Sequence, residues 1–306
     1  MQQIKIGIPK ALLYYRYSIL WNNFFETLNC KIIESIDTNK QILELGKNYS
    51  IDESCLASKI YIGHVLYLHN KCDYILIPRI CDYGKNAKVC VKFNGLYDIV
   101  KNTFPYIKLI DYNIEYTKHH TEFKAMFKLG LKFSKNPIKV LYAYYKAKKK
   151  EKVHNNIIQN QQQVKIKSKK IKILVISHPY VVYDKYIGEP IINYLKVMNV
   201  DIIYADKLDK NKSIKLSYSL SKGLYWHYSR ELIGAIIEYK DNIDGIIFLT
   251  SFPCGPDSLI NELLIRKIKD IPITNIILDE QTAEAGIHTR LESFIDIIKQ
   301  KEHYNE

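Results

Sequence analysis

Short runs of β-branched and aliphatic residues alternate along most of this chain with longer stretches whose apolar positions recur every three to four residues. The two periods are those of buried strands and amphipathic helices. Strands are expected at 4–9, 31–36, 73–78, 107–112, 172–177, 201–205, 245–250 and 273–278. Helices are expected at 11–28, 38–45, 54–69, 95–104, 188–198, 225–239, 257–269 and 283–299. In the first helix Leu12, Tyr15, Ile19, Phe24 and Leu28 carry the period. Thr38 and Ser54 are placed to cap the next two helices, and Pro190 falls in the first turn of the 188–198 helix. The run 73–78 is nearly all apolar, as a strand buried on both faces requires. A strand–helix alternation of this kind specifies parallel, doubly wound sheets.

Residues 118–170 break the rhythm. They hold fifteen Lys, two Glu, no Arg and no Asp, a net charge of +13. The whole chain also carries +13, so the other 253 residues sum to zero. Phe123, Phe127 and Leu131 at i, i+4 and i+8 make the start of this segment helical, whereas 155–163 is polar and of low complexity. The segment reads as a solvated helix and linker, with an electrostatic dock for an acidic partner or phosphate-bearing ligand as the alternative. The chain therefore divides into a first α/β domain (1–117), a Lys-rich helical linker (118–170) and a second α/β domain (171–306). The two α/β parts share an echo: an acidic turn, an apolar strand and a cysteine just past its end occur at 73–81 and again at 244–254.

Charge confined to one segment argues against a nucleic-acid-binding body. So do five scattered arginines beside forty lysines, because base readout favours Arg. No stretch is long and apolar enough to span a bilayer. The N-terminus lacks a signal-peptide layout. Cytoplasmic location and reduced thiols are the expectation.

Familiar catalytic signatures are missing: there is no Walker loop, GxGxxG fingerprint, GxSxG elbow or HExxH pair. Chemistry rests on the cysteines. Four of six stand in motif-like surroundings: Cys55 at a helix start, Cys81 and Cys90 flanking a polar loop after the strand 73–78, and Cys254 before Gly255-Pro256-Asp257-Ser258. Thiolates gathered at the carboxyl edge of an α/β sheet hold soft metals or iron–sulfur clusters. A helix start after Cys254 would favour its thiolate. With no CxxC, neither a zinc ribbon nor a ferredoxin-type run is present. From spacing alone, each cysteine is equally readable as a small buried hydrophobe, and Cys30 and Cys72 are read that way. Accessory candidates are His64, Lys59, Arg79, His178, Tyr180, Asp279, Glu280 and Glu284, each also readable as an ordinary packed, capping or solvated residue.

Five segments carry a family resemblance: IGIPKALLYY at 6–15, DESCLASKIYIGH at 52–64, CVKFNGLYD at 90–98, FPCGPD at 252–257 and LDEQTAEAG at 278–286. They resemble the acyl-CoA dehydratase activase-related (CoA protein activase) proteins, relatives of 2-hydroxyacyl-CoA dehydratase iron–sulfur subunits. The resemblance implies stacked α/β domains with a [4Fe–4S] cluster between them. It implies Cys55, Cys90 and Cys254 as ligands; Cys81-Asp82 resembles a Cys-Asp motif of the dehydratase subunits and makes Cys81 the fourth or exchangeable ligand. It further implies low-potential electrons received from a separate ATP-dependent activase with its own iron–sulfur cluster, and assembly with a related subunit or a second copy. The alternatives kept open are the catalytic subunit of a hydroxyacyl-CoA dehydratase and a zinc-stabilised module without redox chemistry.

Overall fold

The computed structural model describes residues 3–281 and 284–305, without the side chains of residues 284 and 302–305. It resolves into two compact units, Met1–Asn156 with Tyr225–His227, and Ile157–Leu224 with Tyr228–Glu306. The protein is α/β, with mainly parallel sheets of the doubly wound kind.

The first unit runs β1 (Lys5–Ile8), α1 (Tyr14–Thr27), β2 (Lys31–Glu34), α2 (Lys40–Asn48), α3 (Leu56–Leu68), β3 (Tyr74–Leu76), β4 (Arg79–Asp82), α4 (Val91–Thr103), β5 (Leu109–Ile110), β6 (Asn113–Glu115) and α5 (Glu122–Leu131). Its main sheet has the parallel order β2-β1-β3-β5. Ile6, Ile8, Ile75 and Leu76 form its buried middle. β4 pairs with β6 in a small second sheet. The hairpin-like stretch 79–90, read from the sequence as strand end plus polar loop, thus contains a strand of its own.

Two caps differ from the sequence expectation. Asn39, not Thr38, caps α2, its side chain accepting from the Ile42 N–H at 3.0 Å. Thr38 instead bonds the His64 ring. Cys55, not Ser54, is the N-cap residue of α3. This helix is buried almost all round, which is why its sequence shows little amphipathicity. α2 lies against it at backbone distance: a Cβ on Gly46 would meet the Lys59 carbonyl oxygen at 1.9 Å, and one on Gly63 the Ile42 carbonyl oxygen at 2.0 Å. α4 begins at Val91, four residues earlier than expected, so Cys90 becomes its N-cap.

α6 (Pro137–Ile166) is one 30-residue helix. The polar tract 155–163, read as low-complexity linker, is helical throughout. Residues 118–156 belong with the first unit. Among the described residues no helix is long and apolar enough to cross a membrane.

The second unit continues with β7 (Lys172–Ile176), α7 (Pro179–Val182), α8 (Glu189–Val197), β8 (Asp201–Tyr204), α9 (Lys210–Leu220), α10 (His227–Tyr239), β9 (Gly245–Ser251), α11 (Gly255–Lys267), β10 (Ile273–Leu278) and α12 (Glu284–Asn305). Its sheet has the parallel order β8-β7-β9-β10. All seven residues of β9 are buried, as a central strand covered on both faces demands. α9 lies outside the helices expected from the sequence, because its Ser and Lys content hides the helical period. Arg230 on α10 closes its end. That guanidinium is buried and donates to the carbonyls of Leu224 (2.9 Å), Ser221 (3.1 Å) and Lys222 (2.9 Å).

Candidate functional site

None of the six cysteines forms a disulfide. In the first unit, Cys55 and Cys90 hold the same local position. Each is the N-cap residue, in extended backbone conformation, of a 13-residue helix, and neither side chain makes a capping hydrogen bond. The first N–H groups of a helix have no intrahelical acceptor and carry partial positive charge, so a sulfur held there is favoured as thiolate. The two caps are neighbours: Lys92, in the first turn after Cys90, donates to the Ser54 hydroxyl at 3.3 Å.

Cys81 joins the same turn from another element. It lies in β4, where the register slips between Ile80 and Asp82, leaving Cys81 as the extra residue. Such bulges re-aim a side chain away from the ladder. Its thiol donates to Asn94 Oδ1 at 2.9 Å, one turn into α4. Burial pushes this thiol up from its ordinary range, Glu115 adding to the effect while Arg79 opposes it. The opening turns of α4 therefore gather the Cys55, Cys81 and Cys90 segments. Asn94 lies inside the CVKFNGLYD segment at 90–98, but its residue type alone did not mark it as a partner of Cys81.

The neighbouring Asp82 is a tether. Fully buried, its carboxylate accepts from the Gly84 N–H (3.1 Å), the Thr117 N–H (3.0 Å) and hydroxyl (2.7 Å), and Lys88 Nζ (2.9 Å). Burial alone would raise its pKa, but the Thr117 and Lys88 hydrogen bonds hold it below the usual carboxylate range.

In the second unit, Cys254 follows β9 and is the N-cap residue of α11. The sheet order reverses between β7 and β9, and the crevice beyond the carboxyl ends of such a strand pair is where open α/β sheets take ligands. The segments leaving those two strands carry His178 and Cys254, and both meet Asp257. His178 Nε2 is 3.0 Å from Asp257 Oδ1, and the Cys254 side chain also hydrogen-bonds the carboxylate. Burial works to raise the Asp257 pKa, yet His178 and Cys254 bring it below the ordinary value. The His178 ring stacks on Tyr180, centroids 5.0 Å apart and planes 9° apart.

The remaining candidates separate. Cys30 and Cys72 are packing residues whose thiols burial pushes up to about 11. His64 is a core residue, fully buried between Ser35 Oγ (2.8 Å) and Thr38 Oγ1 (3.0 Å), and burial lowers its pKa to about 3. Lys59 is buried, its ammonium on the Asp52 carbonyl at 2.9 Å. Arg79 pairs with Asp98 at 2.7 Å. Asp279 and Glu280 line a separate cavity of about 350 Å³ with Lys185 and His288. The Glu284 side chain lies outside the described residues.

Among the described residues no three His, Cys, Asp or Glu side chains stand together in a group that would hold a metal ion. What fits a thiophilic centre is the donor chemistry: soft sulfurs at three helix N-termini.

No curated protein matches the chain. The family described as the CoA enzyme activase uncharacterised domain matches residues 5–208, that is 204 of 306 residues, a span that contains Cys55, Cys81 and Cys90 and stops before Cys254. The chain belongs to that family.

Proposed function

We propose that this protein is the iron–sulfur partner of an ATP-dependent activase, with Cys55, Cys90 and Cys254 as ligands of a [4Fe–4S] cluster and Cys81 as a fourth or exchangeable one. The observation that carries the reading is that the three principal candidates share one structural position, the N-cap of a 13-residue helix. Backbone N–H groups there stabilise thiolates and, through hydrogen bonds to sulfur, raise the potential of a bound cluster. When bound, the cluster supplies one-electron chemistry at low potential. Cys81 lies in a bulged strand and not at a helix N-terminus, so it lacks the N–H groups that favour the other three thiolates, which supports three thiolate ligands over four. An open position of that kind admits a substrate oxygen, whereas four thiolates leave a pure electron carrier. Membership in the CoA activase-related family supports the activase as electron donor, and the reading places the protein in the reducing cytoplasm.

The test is anaerobic reconstitution of the intact chain with iron and sulfide. About four irons per chain and a broad visible absorption are expected. Cys55→Ala, Cys90→Ala and Cys254→Ala should each lose the cluster, while Cys81→Ser, Cys30→Ala and Cys72→Ala keep it. The reconstituted protein should bleach on mixing with a reduced activase and ATP. Stoichiometric zinc with no uptake of iron would overturn the reading in favour of a non-redox module.

A further inference from the structure

A second site stands in the Lys-rich part of the first unit. Lys124, Lys128 and Lys132 recur at i, i+4 and i+8, so they line one face of α5 and its C-cap. That face forms a wall of a cavity of about 190 Å³. The opposite wall is Asp111, Tyr112, Asn113 and His120. His120 is fixed there by paired backbone hydrogen bonds with Glu115, at 2.9 and 3.0 Å.

Charge at this cavity is unbalanced. The one carboxylate in its lining, Asp111, lies 3.7 Å from Lys132 Nζ. The Lys124 and Lys128 ammonium groups have no acidic partner among the described residues. The two glutamates of the basic segment are committed elsewhere: Glu122 and Glu151 both pair with Lys148, at 3.1 and 2.5 Å. The local pairing thus neutralises a lysine of α6 and leaves two cavity-facing lysines of α5 uncompensated. Lysine is a point-charge donor suited to phosphate oxygens, and clustered like charges in a concave site concentrate a small anion. Asn113 and His120 add polar groups for orientation, while Ala125 and Leu129 supply an apolar floor.

We propose that this cavity binds a small phosphate-bearing ligand, the diphosphate group of a metabolite or nucleotide being the best match to two uncompensated lysines. The proposal is independent of the cysteine chemistry.

Inorganic pyrophosphate is the probe, titrated calorimetrically into the full chain at low ionic strength. Saturable one-to-one binding is expected, weakening as salt rises. A Lys124→Gln/Lys128→Gln variant should bind at least about tenfold more weakly, a loss of about 1.4 kcal/mol. A variant of equal charge change, Lys149→Gln/Lys150→Gln, removes exposed lysines outside the cavity and should shift affinity by less than about threefold. Lys128→Gln alone serves if the double variant melts early. Absence of saturable binding, or an equal loss in both double variants, would overturn the site and leave only diffuse polycation attraction. So would an oligonucleotide that binds more tightly than pyrophosphate and depends equally on Lys149 and Lys150.

Discussion

The two units are built on one template and differ in what they attach to it. In each, the first strand lies between the second and the third, and the fourth pairs outside the third, all parallel. The repeat extends to single hydrogen bonds. The Lys5 N–H donates to Asp73 Oδ2 at 2.7 Å, and the Lys172 N–H donates to Asp244 Oδ2 at 2.7 Å. In return the Asp73 and Asp244 N–H groups donate to the carbonyls of Lys5 and Lys172, at 2.9 and 2.8 Å. The acidic residue before the third strand therefore locks the start of the first strand in both units. Past the third strand they diverge. In the second unit β9 runs seven residues and leads to Cys254 at a helix N-terminus. In the first, β3 ends after three residues, and a second sheet with a bulge at Cys81 brings that thiol to the turn capped by Cys90. One position in a repeated fold holds a lone cysteine on a carboxylate in one copy and opens a gathering of three cysteine segments in the other.

That difference is broken most directly at Asp82. It ties the added sheet to the 84–88 loop and to Thr117, and it has no counterpart in the second unit's simpler strand end. Asp82→Ala removes the acceptor of Thr117, of the Gly84 N–H and of the part-exposed Lys88 and should cost about 2–3 kcal/mol, the usual loss for hydrogen bonds to a charged group. Chemical denaturation of the full chain measures it. Amide exchange should show the loosening around β4 and β6 with β7–β10 unaffected. A loss below about 1 kcal/mol would mean that the second sheet is not held by this carboxylate.

Acid should also distinguish the units. His64 has a folded pKa of about 3 against an ordinary value of 6.5, because burial disfavours the imidazolium and Lys10 adds to it. Its contribution is fully present above pH 6.5 and is lost as pH falls from 6.5 toward 3. By pH 5 the loss is about 2 kcal/mol. Protection of the α3 amides should fall over this range in the parent, and His64→Gln should flatten the dependence. In the second unit the buried histidine, His178, has Asp257 at 3.0 Å, so its amides should not follow the same curve. A common acid profile for both units would remove the distinction.

The smallest effect tests the repeat itself. Asp73 is exposed, whereas Asp244 is half-buried and also lies 3.5 Å from Lys172 Nζ. Asp244→Ala should cost about 1–2 kcal/mol and Asp73→Ala less than about 1 kcal/mol. Reversal of that order, read from thermal or denaturant midpoints, would show that the two locks are not energetically equivalent devices set at different depths.

Much of this architecture was legible in the linear pattern. Strand runs without charge mark 73–78 and 245–250, and the echo between 73–81 and 244–254 marks the shared template. The turn residues around Cys55 and Cys254 mark helix starts. These features are local: burial on both faces, capping chemistry and period are written within about ten residues of each position. Other features depend on residues distant in sequence. That Cys81 is a bulged strand residue held by Asn94 follows from pairing with β6, more than thirty residues on. That His64 is a neutral core residue follows from Ser35 and Thr38 across a close helix contact. That Lys124 and Lys128 have no acidic partner among the described residues goes with Lys148 engaging both glutamates of the segment. The sequence by itself determined the order and type of most elements and the family, because hydrophobic period and motif wording are properties of the chain; β4, β6 and α9 emerged only in the fold. Which thiols share a turn, which charges are spent and which stay available was decided only by tertiary structure, because burial and pairing depend on distances between elements that no local pattern encodes.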